Sequence, residues 1–500
     1  MIMGTISKDF SYVEFEKTDV PGMQVKNTIT SVDVRDSIKA LVDEVLQPLR
    51  NAWGKPLAIN SGYRCQEVNK AVGGVPTSQH CFDTDTEILT NNGWKTSTTI
   101  STEDLVYTYN FSYGSIELKA INEIIRRPFV GDLYHIKNKH LDVMCTNKHN
   151  VIVRYDNQKY QRKGVNKITA EGQAYFDSLK TNNDQFHFEK MEGVAGKRRH
   201  FMTCGYSSET AEYDVMFMRF VMAVVADGYF GFHCGKTPYI GFHVKKARKI
   251  TYLKVLMELN GIKYSVRKEK DDTYYFYIGK AVANKVLEII GRKKNIPYYI
   301  IKADVMTLRE LVGTYTFFDG HCDKRPGNSG ISISTVNANN ASVLQAMCVL
   351  SGMRCVLSSR MPKVGSIRGV QIKTAQRVYS LSICPDKISS KFKEDSFEKI
   401  HYDGEIWCIR DDNDTVIIRR NGKVSLQGNC KGEAADVCPF GRNGHGDIET
   451  VRQLAITARD LGLPFDQMIL YPTFVHFSHK RKGTQRGQIL YNRRYTGEKI

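Results

Sequence analysis

Cysteines stand at positions 81 and 430, and an asparagine, Asn429, directly precedes the second. A thiol is intrinsically nucleophilic and keeps a modest thiolate fraction near neutral pH, so either position suits attack on a carbonyl. His80 precedes the first cysteine, Asp436 follows the second, and His476 lies farther on. Imidazole and carboxylate side chains are residue types that bind divalent metals or move protons. Asp227 and Asp319 each close a largely apolar run and each precede a glycine, 92 positions apart. Carboxylates brought together in this way attract Mg2+, which activates water and stabilises a leaving oxygen.

These groups lie in an interrupted order. With 81–429 removed, the junction reads Ser78-Gln79-His80-Cys430-Lys431-Gly432-Glu433-Ala434-Ala435-Asp436. That His-x-x-Gly-x-Ala-x-Asp run is similar to the metal-binding signature of zinc D-alanyl-D-alanine carboxypeptidases and endolysin-type peptidoglycan peptidases. Phe474-Val475-His476-Phe477-Ser478 resembles the second motif of that family, and Ser61-Gly62-Tyr63-Arg64 and Gly73-Gly74-Val75-Pro76-Thr77-Ser78 also look like it. The resemblance implies zinc on His80, Asp436 and His476, and a peptidoglycan stem peptide as substrate. Arg64 would hold a substrate carboxylate or the developing oxyanion, or is a surface arginine. An acidic general base often lies a few residues before the last histidine; here Tyr471, Pro472 and Thr473 occupy that stretch, and Glu433 and Asp466 are the nearest acids. The joined product is therefore a hydrolase, weak or with another base, or a non-catalytic zinc-containing module that binds wall peptides.

The intervening segment has its own pattern. The run from Cys81-Phe82-Asp83-Thr84-Asp85-Thr86-Glu87 through Asn91-Asn92-Gly93-Trp94 resembles the amino-terminal splicing block of an intein, and Thr146-Asn147-Lys148-His149 its Thr-x-x-His block. Glu405-Ile406-Trp407-Cys408-Ile409 and the run from Asn421 to Asn429-Cys430 resemble the carboxy-terminal blocks. The resemblance implies that Cys81 attacks the His80 carbonyl, with His149 as general acid or base and Thr146 orienting it. Cys430 then takes the acyl group, and Asn429 cyclises. Two positions depart from the family: Gly428 stands where a histidine usually precedes the asparagine, and Cys408 where an aspartate is usual. Asp414 or Thr415 falls near a further histidine position of that block. Cys408 is an aid to splicing or a β-strand core thiol.

Splicing needs far fewer residues than the insert contains. Arg219-Phe220-Val221-Met222-Ala223-Val224-Val225-Ala226-Asp227-Gly228 and Leu308–Gly320 resemble the two blocks of LAGLIDADG homing endonucleases, and Lys294-Asn295-Ile296-Pro297 their Lys-x-Ile-Pro block. The resemblance implies double-stranded DNA as partner, Asp227 and Asp319 as Mg2+ ligands, and Lys294 polarising water or contacting the scissile phosphate. Small residues such as Ala223 and Gly313 are expected to let the two helices approach. The basic stretches 245–249 and 292–294 are expected on phosphates, and 273–277 as a strand of the DNA saddle.

The 500 residues, with 71 Lys+Arg against 53 Asp+Glu, carry a net charge of +18. Residues 1–80 are neutral and 430–500 carry +4, so most of the excess lies between them and favours a polyanionic partner there. Hydrophobic residues at 41% and charged residues at 25% exclude disorder along the whole chain. No apolar run has the length of a membrane span. Met1–Phe10 has no apolar signal core, so the precursor is expected in the cytoplasm, with the spliced product reaching the wall or periplasm by another route. Twelve cysteines without a CxxC pair make neither a disulfide scaffold nor a zinc finger.

Helical spacing covers Val32 to Leu49 and residues 449–461, and Gln467–Tyr471 reads as a strand. The expected fold class is multidomain: an α+β zinc peptidase split by an all-β Hint splicing domain that carries an inserted α/β LAGLIDADG domain. The expected parts are 1–80 (first part of the peptidase), 81–204 (splicing domain), 205–384 (endonuclease), 385–429 (splicing domain) and 430–500 (second part of the peptidase). No oligomer is predicted. An alternative reading is a splicing-impaired chain that acts mainly as the endonuclease.

Overall fold

The long-range packing separates the chain into two compact units, 1–79 with 431–500, and 80–430. The computed structural model describes residues 4–29, 32–63, 65, 68, 81–155, 185–323, 329–362, 366–367, 370–371, 376–392, 396–428, 434–440, 446–479, 485, 487–492 and 494–500. Arg64, His80, Asn429 and Cys430 lie outside the described residues.

In the first unit the apolar stripe from Leu41 to Leu49 lies on a helical run, Val32–Leu41, Val42–Leu46 and Gln47–Trp53. The middle segment widens to a π turn, where Pro48 has no N–H to return to residue 44. Gly54, at φ +69°, ends the run in the left-handed region that a β-carbon disfavours. Leu41, Val42, Val45, Leu46 and Leu49 pack with Val451, Leu454, Ala455 and Ala458 of the helix Ile448–Asp460. Asp447 caps that helix, accepting from Thr450 N–H at 2.8 Å. Both helices cover a five-stranded sheet ordered Leu57–Ser61, Ala434–Pro439, Val475–Ser478, Gln467–Leu470, Gln488–Tyr491.

In the second unit, Glu123–Lys137 pairs antiparallel with Phe397–Arg410 along its whole length. With Phe82–Asp83 and Asp142–Cys145 these strands close a barrel. Beside it, Thr415–Arg420 and Lys423–Gly428 form a hairpin whose two-residue loop is Asn421-Gly422, both at positive φ (47° and 71°), the backbone that matches the strand twist. Only glycine fits at 422, because an added Cβ would lie 2.0 Å from the Leu357 carbonyl oxygen.

Two similar halves follow one another in the middle of this unit. The first is helix Val215–Asp227, strands Gly228–His233 and Thr237–Val244, helix Ala247–Leu259, strands Tyr264–Lys268 and Tyr274–Ile278, and helix Lys280–Ile290. The second is helix Val305–Asp319, strands Gly320–Cys322 and Ile331–Thr335, helix Ala338–Leu350, and strands Arg354–Arg360 and Val378–Cys384. In each half the four strands lie in the same order, first, second, fourth, third. The second half is continuous with the sheet of the 415–428 hairpin: Val356 pairs with Lys423, and Leu357 N–H donates to Gly422 O at 2.8 Å. Ala223 is fully buried, as expected of a close helix contact. Gly313 is not at that contact; it is exposed, and a Cβ there would meet nothing within 4 Å. Larger residues, Leu308, Leu311, Val312 and Tyr315, fill the buried face of its helix instead.

Candidate functional site

Strand register builds the thiol centre. Phe82 pairs with Cys145 on one side and with Trp407 on the other, so Cys81 lies one step along, between Thr146 and Cys408. The pairing continues through Cys81: its N–H donates to Thr146 Oγ1 at 3.3 Å, and Thr146 N–H donates to Cys81 O at 3.1 Å. His149 follows in a tight turn, its N–H donating to Thr146 O at 3.1 Å, with its ring edge-on to Phe82 at 4.4 Å. Cys81, Thr146, His149 and Cys408 are all buried. The structure thus brings together the nucleophile type, the imidazole and the orienting hydroxyl that the sequence motifs separate by 65 residues and more.

A charged network lies next to this centre. Arg420 donates to Asp142 at 2.8 Å and through Nε to Asp83 at 2.9 Å, and Asp83 accepts from Thr86 Oγ1 at 2.6 Å. His135 lies between Asp142 (2.9 Å) and Glu398 (2.7 Å). Burial alone would raise the Asp142 pKa; hydrogen bonds from His135 and Arg420 outweigh it and bring the carboxyl down to about 2. The network ties the strand that follows Cys81 to the hairpin that leads to Gly428. The sequence motifs did not single out Asp142, Arg420 or His135: His135 and Asp142 meet across one hairpin, and pairing of distant strands brings Arg420 to them. Arg127 was missed for the same reason; its Nη2 lies 3.9 Å from Cys81 Sγ.

Gly428 ends the hairpin strand opposite Thr415. A Cβ there would lie 2.5 Å from Asn150 Cβ and 3.0 Å from both Asn150 O and a Phe188 ring carbon. A histidine side chain does not fit this backbone position, which explains the departure physically.

The carboxylate centre is built twice by the same local rule. Asp214 and Asp304 cap the two helices that end in Asp227 and Asp319. Gly228 and Gly320 then turn each chain back against its own helix: a Cβ would meet Val224 O at 2.9 Å in one and Thr316 O at 2.7 Å in the other. Partial burial and the charge of Asp227 raise the Asp319 pKa, against the pull of Lys249 and Lys294. Lys249 donates directly to Asp227.

Lys294 sits at φ +53° and donates to the carbonyls of Val225 (3.0 Å) and Gly228 (2.8 Å), so its ammonium caps the helix that ends in Asp227. Burial lowers its pKa, and both aspartates oppose that. Arg248 donates to Phe317 O at 2.7 Å. Three cations expected on phosphates, Arg248, Lys249 and Lys294, are therefore engaged in holding the centre together. The strand Tyr274–Ile278 forms as expected, with Tyr229, His233, His243 and Tyr277 exposed on its sheet.

In the first unit Asp436 and His476 are direct cross-strand partners, with Oδ1 and Nδ1 2.7 Å apart and both residues half-buried. The two side chains meet on one face in a hydrogen bond to each other, and they are of the imidazole and carboxylate types that bind zinc. His80 and Arg64 lie outside the described residues. Among the described residues no group of three His, Cys, Asp or Glu is placed to hold a metal. Asp466 is buried, and Tyr471 stacks on Phe474 at 4.3 Å.

No helix among the described residues is long and apolar enough to cross a membrane. A ribonucleoside-diphosphate reductase subunit beta from Aquifex aeolicus (strain VF5) is 23% identical over 371 residues, 70% of this chain and 50% of that protein. A DNA-directed RNA polymerase subunit beta C-terminal section from Stigeoclonium helveticum is 35% identical over 98 residues, 19% of this chain and 9% of that protein. The chain therefore spans half or less of these curated relatives. Among solved structures, I-DmoI in complex with DNA and Mn has a TM-score of 0.24 at 14% identity, covering 34% of this chain and 91% of that one. The N-terminal LAGLIDADG domain of DUF199/WhiA has a TM-score of 0.23 at 11% identity, covering 33% of this chain and 74% of that one. At the N-terminal end, residues 13–104 match the Peptidase M15 family, a match that runs past Cys81.

Proposed function

We propose that the chain is a self-splicing precursor in which 81–429 excises itself and joins His80 to Cys430, completing a zinc-dependent peptidoglycan peptidase. The observation that carries this reading is the seam. The two compact units divide at 79/80 and 430/431, beside Cys81 and Cys430, and at that seam Cys81 is hydrogen-bonded to Thr146 within one turn of His149. The Peptidase M15 match supports a wall-peptidase host. Shared sequence with a reductase subunit and with a polymerase section supports an insert carried by unrelated proteins.

The Cys81 sulfur forms a bond to the His80 carbonyl carbon while the His80–Cys81 amide breaks. The thiol proton passes to the departing amine through His149. Cys430 then exchanges onto the thioester, Asn429 closes on its own carbonyl and releases the Cys430 amine, and an S-to-N shift leaves an ordinary peptide. The product's zinc would rest on His80, Asp436 and His476, and would supply an activated water for amide hydrolysis. The two-half region would cleave double-stranded DNA at Asp227 and Asp319 with Mg2+.

Intact-mass measurement after expression in bacteria tests the proposal. The expected result is a species in which 1–80 is fused to 430–500, beside free 81–429. Cys81→Ala combined with Asn429→Ala is expected to leave only the full chain, and a ligated product from that variant would overturn the assignment. One observation favours a second reading, a chain whose working activity is the nuclease: Gly428 leaves no space for the histidine that usually assists asparagine cyclisation. A full chain that stays intact while cutting DNA would establish that reading.

A further inference from the structure

The splicing reading needs the Cys81 thiolate, yet Cys81 is wholly buried, and burial disfavours an ionised thiol. The residue that usually supplies a charged group in the carboxy-terminal block is replaced here by Cys408, itself buried on its strand. Strand register shows what reaches the sulfur instead. Asp83 pairs with Ile406 and Phe82 with Trp407; Ile406 pairs in turn with Arg127 and Cys408 with Ile125. Side chains alternate faces along a strand. Cys81, Cys408 and Arg127 therefore share one face, with Arg127 two strands across and two residues along from Cys81. The long side chain spans that diagonal, and its Nη2 lies 3.9 Å from Cys81 Sγ. Asp83, which shares the face, is engaged by Arg420 at 2.8 Å and by Thr86 at 2.6 Å.

Resting on the splicing reading, we propose that Arg127 is a catalytic residue of the first step, stabilising the Cys81 thiolate as it attacks the His80 carbonyl. The guanidinium stays protonated throughout. It transfers no proton and forms no bond; the thiol proton still goes to the departing amine. A fixed cation beside the sulfur favours its ionised form, and arginine keeps its charge over the whole working pH range. A basic group held by register thus offsets the burial of the nucleophile.

The test uses the full chain carrying Asn429→Ala and Cys430→Ala, so that reaction stops at the thioester. Cleavage after His80 by added hydroxylamine is followed by mass against pH. If this parent gives no cleavage, the splicing reading itself fails, and Arg127 with it. If the parent cleaves, Arg127→Gln is expected to cleave about tenfold more slowly at pH 7, with its rate profile displaced to higher pH by about one unit. Arg127→Lys is expected to keep most of the rate and the profile, and added guanidinium ion to restore Arg127→Gly. Equal rates and equal profiles for parent and Arg127→Gln would overturn the inference. An Arg127→Lys variant that melts like the parent but loses cleavage would also overturn it, because charge would then not be what matters.

Discussion

The thiol centre and the carboxylate centre of the 80–430 unit are built on opposite plans. Around Cys81 every element differs from its neighbour: a two-residue strand, a tight turn after Thr146 and a strand of the long ribbon. Around Asp227 and Asp319 one local design is used twice, with a capped helix, a terminal aspartate and a glycine turned back onto the helix. At the first, Cys81, Thr146, His149 and Cys408 are all buried. The second leaves Asp319 exposed at a helix end. The contrast shows how one chain can hold a buried thiol centre and a partly exposed carboxylate centre.

Asp319→Asn breaks the second plan most severely. Cleavage of a DNA target with Mg2+ is expected to fall to background while splicing continues, read on one preparation by nicking and by mass. Unchanged nicking would remove the carboxylate pair from the mechanism. The same variant carries a second signature. Partial burial and Asp227 raise the Asp319 pKa, so its ionised form opposes folding above that raised value. Asp319→Asn should therefore melt higher than the parent at pH 7, and the gain should vanish as pH falls and the parent's own carboxyl takes up its proton. A loss of stability at pH 7 would mean that Asp319 is a structural partner instead.

Asp142→Asn probes the network beside the thiol centre. Removing one member of a buried charged cluster leaves Arg420 without a full countercharge, at a cost of about 3–5 kcal/mol in unfolding experiments. The sign with pH follows from the depressed pKa: the stabilisation is fully present above the unfolded value of 3.8 and is lost as pH falls towards about 2. The parent should lose stability through that acid range, and Asp142→Asn should lose less. Parallel acid curves for the two proteins would show that the network contributes nothing to the fold around Cys81.

How much of this was legible in the sequence follows the same division. The helices that end in Asp227 and Asp319 could be read, because an apolar run closing on Asp-Gly is a local signal that appears twice. The stripe from Leu41 to Leu49 and the strand leading to His476 were also local. Arg127 and Arg420 could not be read, since Arg420 meets Asp83 and Asp142 only when strands hundreds of residues apart pair, and Arg127 reaches Cys81 from two strands across; Asp142 meets His135 nearby but gains Arg420 only by that distant pairing. Gly313 misled for the converse reason: a small residue in a helix carries no mark of the face it occupies. The basic runs at 245–249 and 292–294 suggested phosphate contacts, yet Arg248, Lys249 and Lys294 have partners within the fold, which charge counting does not reveal.

The smallest expected effect lies at Gly428, and it sharpens the comparison most finely. The backbone there is pressed against Asn150, which follows His149 directly, so one added carbon would push apart the two strands that flank the thiol centre. Overpacking of this kind costs about 1–3 kcal/mol. Gly428→Ala should lower the melting temperature modestly and slow release of Cys430 more than thioester formation at Cys81, because the displaced strand end leads to Asn429. Gly428→His should behave worse than Gly428→Ala, although histidine is usual at this position in the inteins that the segment resembles. The ratio of the two cleavages, read by mass over time, decides the matter. If histidine accelerated release, the strand end would have to move during the reaction, and the tight contact with Asn150 would describe only the resting state.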